Sequence, residues 1–321
     1  MAEALTRCKV ERFGETCIVR IYTHDYCLHH DIPDGHPERP ARLAYLLEHL
    51  ANTGFTEDHS LCEAPAISDE MIACAHDGHL AKRLADMTPE LDPVAVDPDT
   101  WLSPQSVLAA RHAAGAVWQG VCDVVAGEEE RVFCAVRPPG HHAESAAPMG
   151  FCLFNSVAIA AINGLSLPGI DRVAILDFDV HHGNGTVEIC SAYPDILVCS
   201  SFQHPFYPDR YHEVSQSNIV NTPLPEGTSG TEFRRAIAAS WWAKIEKHQP
   251  DLIIISAGFD GHRDDPLAQW GLVEADYRWI TSEIVALANQ FAEGRIVSAL
   301  EGGYDLDALA KSALAHLREL A

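Results

Sequence analysis

Two side chains that can bind a metal ion lie two residues apart in the segment DFDVHHGNG at residues 177–185. They are Asp179 and His181, and the apolar run that precedes them, residues 173–176, predicts a buried strand. Side chains at positions i and i+2 of an extended chain point to the same face, so a carboxylate oxygen and an imidazole nitrogen can converge on one divalent cation. Catalytic zinc sites usually take three protein ligands, and this pair supplies two of them.

Asp260 is the natural third ligand, because it follows a second apolar run, residues 251–256, that predicts another buried parallel strand. Ligands of open α/β sheets gather outside the carboxyl ends of strands, where Asp179, His181 and Asp260 are all expected. An Asp-His-Asp set with an open fourth position indicates a hydrolytic rather than a structural zinc site. Mixed oxygen and nitrogen ligands also suit iron(II) or cobalt, so the ligands leave the identity of the metal open.

Two further strand ends carry groups that can move a proton or hold a negative charge. The run 132–136 leads into Pro-Pro-Gly, which breaks regular structure and presents His141 and His142 in a loop. Imidazole has the unperturbed pKa nearest neutrality, so this pair suits proton transfer better than metal ligation. The run 296–300 ends at Glu-Gly-Gly-Tyr, whose glycines allow Tyr304 to reach over a site and stabilise an oxyanion.

The elements that must position these groups alternate between strand-like and helix-like segments. This alternation predicts an α/β fold with a mostly parallel sheet and helices on both faces. The motifs are spread along the chain and must meet in one site, which favours a single domain over residues 1–321. A further strand is predicted over residues 17–23, and long loops over residues 86–100 and 203–231. Helices are predicted over residues 37–50, 104–126, 155–163, 232–248, 274–291 and 306–320.

Together, the four motifs resemble those of the histone deacetylase family, in the arginase-deacetylase superfamily of metalloamidohydrolases. The resemblance runs from about His24 to about Leu309 and includes HPERP at residues 36–40 and MGFCLFN at residues 149–155. Asn184 stands where class I enzymes carry Asp, which is typical of class II and of bacterial class II-like histone deacetylase-like amidohydrolases. The resemblance implies the arginase/deacetylase fold, one catalytic zinc ion, and hydrolysis of the amide of an acylated lysine to acetate and a free amine.

The same resemblance implies a role for each residue of the site. The zinc ligands would be Asp179, His181 and Asp260. The catalytic set would be His142 as general base and acid, His141 as its electrostatic partner, Tyr304 as the group that polarises the scissile carbonyl, and Asp177 and Asn184 as the residues that orient His141 and His142. The substrate tunnel and rim would include Gly150, Phe151, Tyr207, Leu267 and Asp97, with Arg39 at the acetate exit cavity. A structural potassium ion is implied near Asp177, Asp179, His181 and Ser200.

Alternatives remain at the rim and for the substrate. Asp99 competes with Asp97 for the role of rim carboxylate, because Asp97-Pro98-Asp99-Thr100 permits either alignment. Relatives selective for acetylpolyamines carry a glutamate where this chain has Leu267, and an apolar side chain cannot pair with a secondary ammonium. This favours an acylated lysine peptide over an acetylpolyamine or another small acylated amine. A silent acyl-lysine-binding module is a third hypothesis, but it would need neither the histidine pair nor Tyr304.

Composition agrees with such an enzyme and excludes other classes of protein. The net charge of -24 argues against binding a nucleic acid backbone and would attract cationic substrates. The ten cysteines form no CxxC pair and are typical of reduced thiols in a cytoplasmic protein. No run of 18 apolar residues is present, so no membrane partner is expected. The sequence leaves open the physiological substrate, the preferred acyl chain and the oligomeric state, and a homo-oligomer is compatible with it.

Overall fold

A computed structural model of the protein describes residues 18–321; residues 1–17, with the start of the strand predicted over 17–23 and of the predicted domain, lie outside the described range. Extended segments rich in Val, Ile and Leu form the strands. These strands are β1 (Val19–Thr23), β2 (Ser60–Glu63), β3 (Val94–Asp97), β4 (Thr100–Leu102), β5 (Arg131–Cys134), β6 (Val173–Asp177), β7 (Ile196–Gln203), β8 (Ile219–Leu224), β9 (Leu252–Ala257) and β10 (Ile296–Leu300).

Within residues 18–321, eight of these strands form one sheet in the order β2-β1-β5-β10-β9-β6-β7-β8, and every neighbouring pair is parallel. The remaining two strands, β3 and β4, pair antiparallel as a separate hairpin. All residues of the central strands β5, β10, β9 and β6 are buried, so both faces of the sheet are covered. Parallel pairing brings the carboxyl ends of these strands to one edge, where the predicted site residues follow.

Helices connect the strands and pack around the sheet. They are α1 (Pro40–Asn52), α2 (Phe55–Asp58), α3 (Asp69–Ile72), α4 (Leu80–Met87), α5 (Ser106–Ala126), α6 (Ser156–Gly164), α7 (Asn184–Cys190), α8 (Gly230–Ser240), α9 (Trp242–His248), α10 (Glu274–Phe291) and α11 (Leu306–Leu320), with a short 3-10 helix at Asp25–Leu28. The α/β fold with a parallel sheet is therefore confirmed. Among the helices of residues 18–321, none has the length and hydropathy that crossing a bilayer requires.

Three sequence predictions about elements were wrong. The segment 86–100, predicted as a long loop, contains strand β3 and the first residue of β4. The segment 203–231, predicted as one long loop, contains edge strand β8, whose six residues include a proline and alternate in burial too irregularly to stand out in the sequence. The helix predicted over residues 232–248 is interrupted at Trp241, which ends α8 and precedes α9. Trp241 is fully buried and its Nε1 donates a hydrogen bond to Thr222 of β8 at 3.2 Å, so a long-range contact sets the break.

Candidate metal centre and active site

Asp179, His181 and Asp260 converge beyond the carboxyl ends of the adjacent strands β6 and β9. All three are buried, and each offers one ligand atom within 4.8 Å of the others. His181 Nδ1 lies 3.2 Å from Asp179 Oδ1 and 3.0 Å from Asp260 Oδ2. A tetrahedral zinc ion with bonds of about 2.0–2.1 Å separates its ligands by about 3.3 Å. The donor atoms and their spacing therefore fit one divalent metal ion.

Backbone groups hold the two carboxylates in place. Gly302 N donates to Asp179 Oδ2 at 2.8 Å, and Val180 N donates to Asp260 Oδ1 at 3.0 Å. A Cβ atom on Gly302 would lie 2.1 Å from Asp260 Oδ2, so only glycine lets this loop pass so close to the ligand. Burial and the neighbouring Asp179 raise the pKa of Asp260. Two carboxylates buried this close together repel each other unless a cation lies between them, and a bound metal ion would supply that cation.

The two adjacent histidines have different partners. His141 Nδ1 lies 3.0 Å from Asp177 Oδ2, whereas His142 Nδ1 lies 2.7 Å from Asn184 Oδ1. The two imidazole rings are tilted against each other with 4.0 Å between their centroids. These are the pairs that the family resemblance implied.

The partners separate the pKa values of the two histidines. Burial disfavours the charged form of His141, but Asp177 and Asp179 outweigh burial and raise its pKa to about 10. At His142, burial acts together with the positive charge of His141 and lowers the pKa well below its usual value. His141 is therefore the cation of the pair, and His142 is neutral and able to accept a proton.

A buried carboxylate that the sequence analysis missed fixes the orientation of this pair. Asn184 Nδ2 donates to Glu144 Oε1 at 2.8 Å, and Arg210 Nη2 donates to the other oxygen of Glu144 at 2.9 Å. An amide nitrogen only donates and an amide oxygen only accepts, so Asn184 Oδ1 must face His142. The proton of neutral His142 then resides on Nδ1, which leaves Nε2 as the acceptor.

Glu301 holds the loop that carries the histidine pair, and the sequence analysis missed it as well. One of its oxygens accepts hydrogen bonds from Gly140 N at 2.6 Å and from His141 N at 3.2 Å. The other oxygen accepts a hydrogen bond from Ser256 Oγ at 3.1 Å. Both missed carboxylates lie next to motif residues in the sequence, but only the folded chain shows that they are buried and what they bind.

His181 of the triad and His142 line a cavity of about 210 Å³. Gly150 lies at its wall with a φ of 56°, and a Cβ atom there would come within 2.4 Å of His142 Cδ2. Phe151 packs edge-on against Tyr304 with 5.8 Å between ring centroids. The residues that line the cavity are Asp99, His142, Gly150, Phe151, His181, Phe206, Tyr207, Leu267 and Tyr304.

Phe206 is an aromatic wall that the sequence analysis missed. Its ring stacks on the ring of His181 with 5.3 Å between centroids. The predicted wall residue, Tyr207, stands perpendicular to His142 at 5.4 Å. The two aromatic residues are adjacent in the loop after β7. Their positions are visible in the sequence, but the direction in which each ring points is not.

At the rim, the structure favours Asp99 over the predicted Asp97. Asp99 lines the cavity, and its Oδ1 accepts hydrogen bonds from Gly150 N at 3.2 Å and Thr100 Oγ1 at 3.0 Å. Asp97 is not among the lining residues and lies against Asp99; burial and the charge of Asp99 raise the pKa of Asp97 to about 6. A bulge in the β3–β4 hairpin between Ala95 and Asp97 changes the register, which the sequence could not reveal.

The prediction that Arg39 lines the inner end of the site was wrong. Arg39 is exposed and precedes the first residue of α1. Arg42, in the first turn of that helix, is fully buried, and its guanidinium lies 4.7 Å from the ring centroid of Tyr304. It donates to the carbonyl oxygens of Gly303 at 2.5 Å and Glu301 at 2.6 Å. The start of α1 decides which of the two arginines points inward.

The residues predicted around potassium lie on strands β6 and β7 and in the segment that follows β6. Asp177 and Ser200 are register partners on β6 and β7, and both are buried. Gly183 N donates to Ser200 Oγ at 3.3 Å. These observations leave potassium itself a prediction.

The fold and the site together define a class of α/β proteins that place a metal-ligand triad and a histidine pair beyond the carboxyl ends of a parallel sheet. The family model described as the histone deacetylase domain matches residues 36–320. The chain therefore belongs to the histone deacetylase family, which includes deacetylases and amidohydrolases.

Individual relatives agree with this assignment. The chain is 39% identical to an uncharacterized protein of Synechocystis sp., over 94% of this chain and 98% of that protein. It is 32% identical to a histone deacetylase-like amidohydrolase of Pseudomonas aeruginosa, over 89% of this chain and 77% of that protein. The crystal structure of the HDA15 HD domain superposes with a TM-score of 0.88 at 32% identity, covering 95% of this chain and 88% of that one. Some relatives are longer, and the chain spans 20% of a type-2 histone deacetylase of Dictyostelium discoideum.

Proposed function

We propose that this protein is a zinc-dependent deacetylase that hydrolyses the amide bond of acylated lysine and releases acetate and the free amine. The observation that carries the proposal is the position of His142, whose Nδ1 lies 2.7 Å from Asn184 Oδ1 and which lines one cavity together with His181 and Tyr304. The donor set Asp179, His181 and Asp260 suits zinc, and family membership supports the same reaction.

When bound, zinc polarises the amide carbonyl and lowers the pKa of water. The protein's own contribution begins at His142 Nε2, which accepts the proton of the attacking water. The hydroxyl of Tyr304 donates a hydrogen bond to the developing oxyanion, and Arg42 packs against its ring. His142 then returns the proton to the leaving amine. His141 stays charged beside Asp177 throughout and holds the pKa of His142 down.

The walls of the cavity suit the aliphatic part of an acylated lysine side chain. Phe151, Phe206 and Tyr207 offer apolar faces to a linear aliphatic chain. Asp99 at the rim can accept hydrogen bonds from the backbone of a peptide substrate. Leu267 adds an apolar side chain at the same wall, which disfavours the charged chain of a polyamine.

A second candidate substrate is an acetylpolyamine or another small acylated amine. The net charge of -24 favours it, because an acidic protein attracts polycations. Leu267 argues against it, since no carboxylate stands at that position to pair with a secondary ammonium.

The test is a substrate panel with the metal restored. Purified full-length protein is loaded with zinc and assayed on acetyl-lysine peptides, longer acyl-lysine peptides and acetylpolyamines, with Asp260→Ala as the metal-deficient control. The proposal predicts the highest kcat/KM on an acyl-lysine peptide. A higher value on acetylpolyamines would select the second candidate. Binding of acyl-lysine without turnover on any substrate would indicate a silent binding module.

A further inference from the structure

A second group of metal-ligand side chains lies in the loop at the mouth of the cavity. His204, Asp209 and His212 each offer one ligand atom, and these atoms lie within 4.8 Å of one another. Asp209 Oδ1 lies 3.9 Å from His204 Nδ1 and 3.6 Å from His212 Nδ1. Ligands of a tetrahedral ion lie about 3.3 Å apart. The two Asp209 distances exceed this spacing by about 0.6 and 0.3 Å, so modest side-chain rotations would bring these atoms to the spacing of metal ligands.

One of these ligand atoms makes no hydrogen bond within residues 18–321. His212 Nδ1 is covered by surrounding atoms and, among residues 18–321, has no hydrogen-bond partner. The great majority of covered polar atoms in proteins do have one. Two carboxylates lie near this nitrogen without forming a hydrogen bond to it, Asp209 at 3.6 Å and Glu213 Oε2 at 3.4 Å. A cation held between these groups would satisfy them together.

Hydrogen bonds to the side chains of His182 and Asn221 hold the backbone of this loop. His182 Nδ1 lies 3.0 Å from the backbone oxygen of Arg210, and His182 Nε2 lies 2.9 Å from Asn221 Oδ1. The side-chain amide of Asn221 donates to Tyr211 O at 3.2 Å and to His212 O at 2.9 Å. These bonds hold the backbone of residues 210–212, which includes His212 and directly follows Asp209.

The loop between these ligands carries two walls of the cavity. Phe206 and Tyr207 lie between His204 and Asp209 in the sequence, and both line the cavity. Phe206 stacks on His181, a member of the central triad. A metal ion bound by both His204 and Asp209 would therefore cross-link the two ends of the segment that contains these aromatic residues. This cross-link would hold them against the cavity.

We propose that His204, Asp209 and His212 form a second divalent metal site at the cavity mouth, which takes a transition metal such as zinc or cobalt. Two imidazoles and one carboxylate prefer these ions over magnesium or calcium. The side chains are 32%, 67% and 28% exposed, so the ion exchanges with solvent and binds more weakly than an ion in the buried triad. This inference does not depend on the proposed function, because it concerns metal content alone.

The test counts metal ions on the full-length protein without any substrate. Protein stripped with a chelator is titrated with Zn²⁺ by calorimetry, and the bound metal is measured by atomic emission. The wild type should bind about two equivalents per chain, one tight and one weaker. Asp209→Asn and His212→Ala should each lose the weaker equivalent and keep the tight one. His29→Ala, which removes an exposed histidine outside the loop, should keep both.

Asp260→Ala provides the reverse control, because it should lose the tight equivalent and keep the weaker one. Adding His212→Ala to Asp260→Ala should remove both, and thermal unfolding confirms that each variant is folded. A wild type that binds a single equivalent would overturn the proposal. A weaker equivalent that persists at full strength in His212→Ala and Asp209→Asn would overturn it as well. Neither result would bear on the catalytic proposal, which depends on turnover at the buried triad.

Discussion

The buried centre and the cavity mouth of this protein are built in different ways. At the centre, the ligands Asp179 and Asp260 are fully buried, follow adjacent parallel strands and receive hydrogen bonds from the backbone. At the mouth, Tyr207 is 37% exposed and Asp209 67% exposed, and both belong to a loop between β7 and β8. Each centre residue therefore has its direction fixed by the sheet, whereas each mouth residue depends on its loop.

This difference suggests a division of labour. Groups that must lie within a few tenths of an ångström of a reacting atom gain from burial and from rigid neighbours. Groups that select a substrate can vary without disturbing the chemistry, and loops tolerate such variation. Substitutions at the centre should therefore abolish turnover on every substrate, and substitutions at the mouth should change the preference among substrates.

The largest effect is expected from removing a triad ligand. Asp260→Ala and His181→Ala should each lower metal affinity at the triad by more than the roughly 10–100-fold that loss of an outer partner typically costs, and turnover should vanish with the metal. Metal analysis beside an activity assay checks this. Asp264→Ala, a change at a 61% exposed aspartate nearby, should alter neither. Wild-type metal content in both triad variants would remove these residues from the ligand set.

Tyr304→Phe should have the next largest effect, and it should act on turnover alone. The hydroxyl is expected to bind the oxyanion and not the ground-state amide, so kcat should fall by about 100–1,000-fold while KM changes little. Steady-state kinetics on an acetyl-lysine peptide measures both. The control Tyr45→Phe loses a surface hydroxyl that bonds Asp307 and should behave like the wild type. Turnover near the wild-type value in Tyr304→Phe would be incompatible with the assigned role.

Asn184→Asp should move the pH profile. The pKa of His142 lies well below its usual value, so the base is already neutral at moderately acidic pH. A carboxylate in place of the amide oxygen at 2.7 Å stabilises the protonated form and raises this pKa. Activity requires the neutral form and is lost below the pKa, so the acidic limb of kcat/KM should shift upward by roughly 1 pH unit or more.

The measurement is kcat/KM against pH for the wild type and for Asn184→Asp at constant ionic strength. Asn52→Asp adds the same charge at an exposed position on α1 and should leave the acidic limb in place. If the acidic limb of kcat/KM lies at the same pH in Asn184→Asp as in the wild type, His142 is not the base whose titration sets that limb.

The smallest effect is expected at the mouth, from Leu267→Glu. A glutamate on the cavity wall can pair with the secondary ammonium of a polyamine, so the ratio of kcat/KM for acetylspermidine over acetyl-lysine peptide should rise by roughly 5-fold, which corresponds to ~1 kcal/mol. Leu91→Glu adds the same charge at an 82% exposed position outside the cavity wall and should not change the ratio. Metal content should stay unchanged in both variants.

Salt separates a local pair from the general attraction of an acidic protein. Distant charges are screened over about 8–10 Å at physiological ionic strength, whereas a partly buried pair is weakened much less. The shift in the ratio should therefore persist at high salt. A shift that is absent, or present only at low salt, would show that Leu267 does not discriminate between these substrates.

The sequence by itself determined several of the regular elements and the residues of the candidate centre. The strand at Ile296–Leu300 and the helices Glu274–Phe291 and Leu306–Leu320 have the bounds that their patterns predict. The triad could be predicted because side-chain direction in an extended chain follows a period of two, and because parallel strands bring their carboxyl ends to one edge. These rules need only local spacing and the order of strands.

The tertiary structure decided the groups that no local rule orients. Arg42 rather than Arg39 lies behind Tyr304, because the first turn of α1 sets which arginine is buried. Asp99 rather than Asp97 lines the cavity, because a bulge shifts the hairpin. The positions of Phe206 and Tyr207 depend on a loop whose backbone is held by residues distant in the chain. A loop side chain points where long-range packing and hydrogen bonds direct it, and that information is absent from the spacing of residues along the sequence.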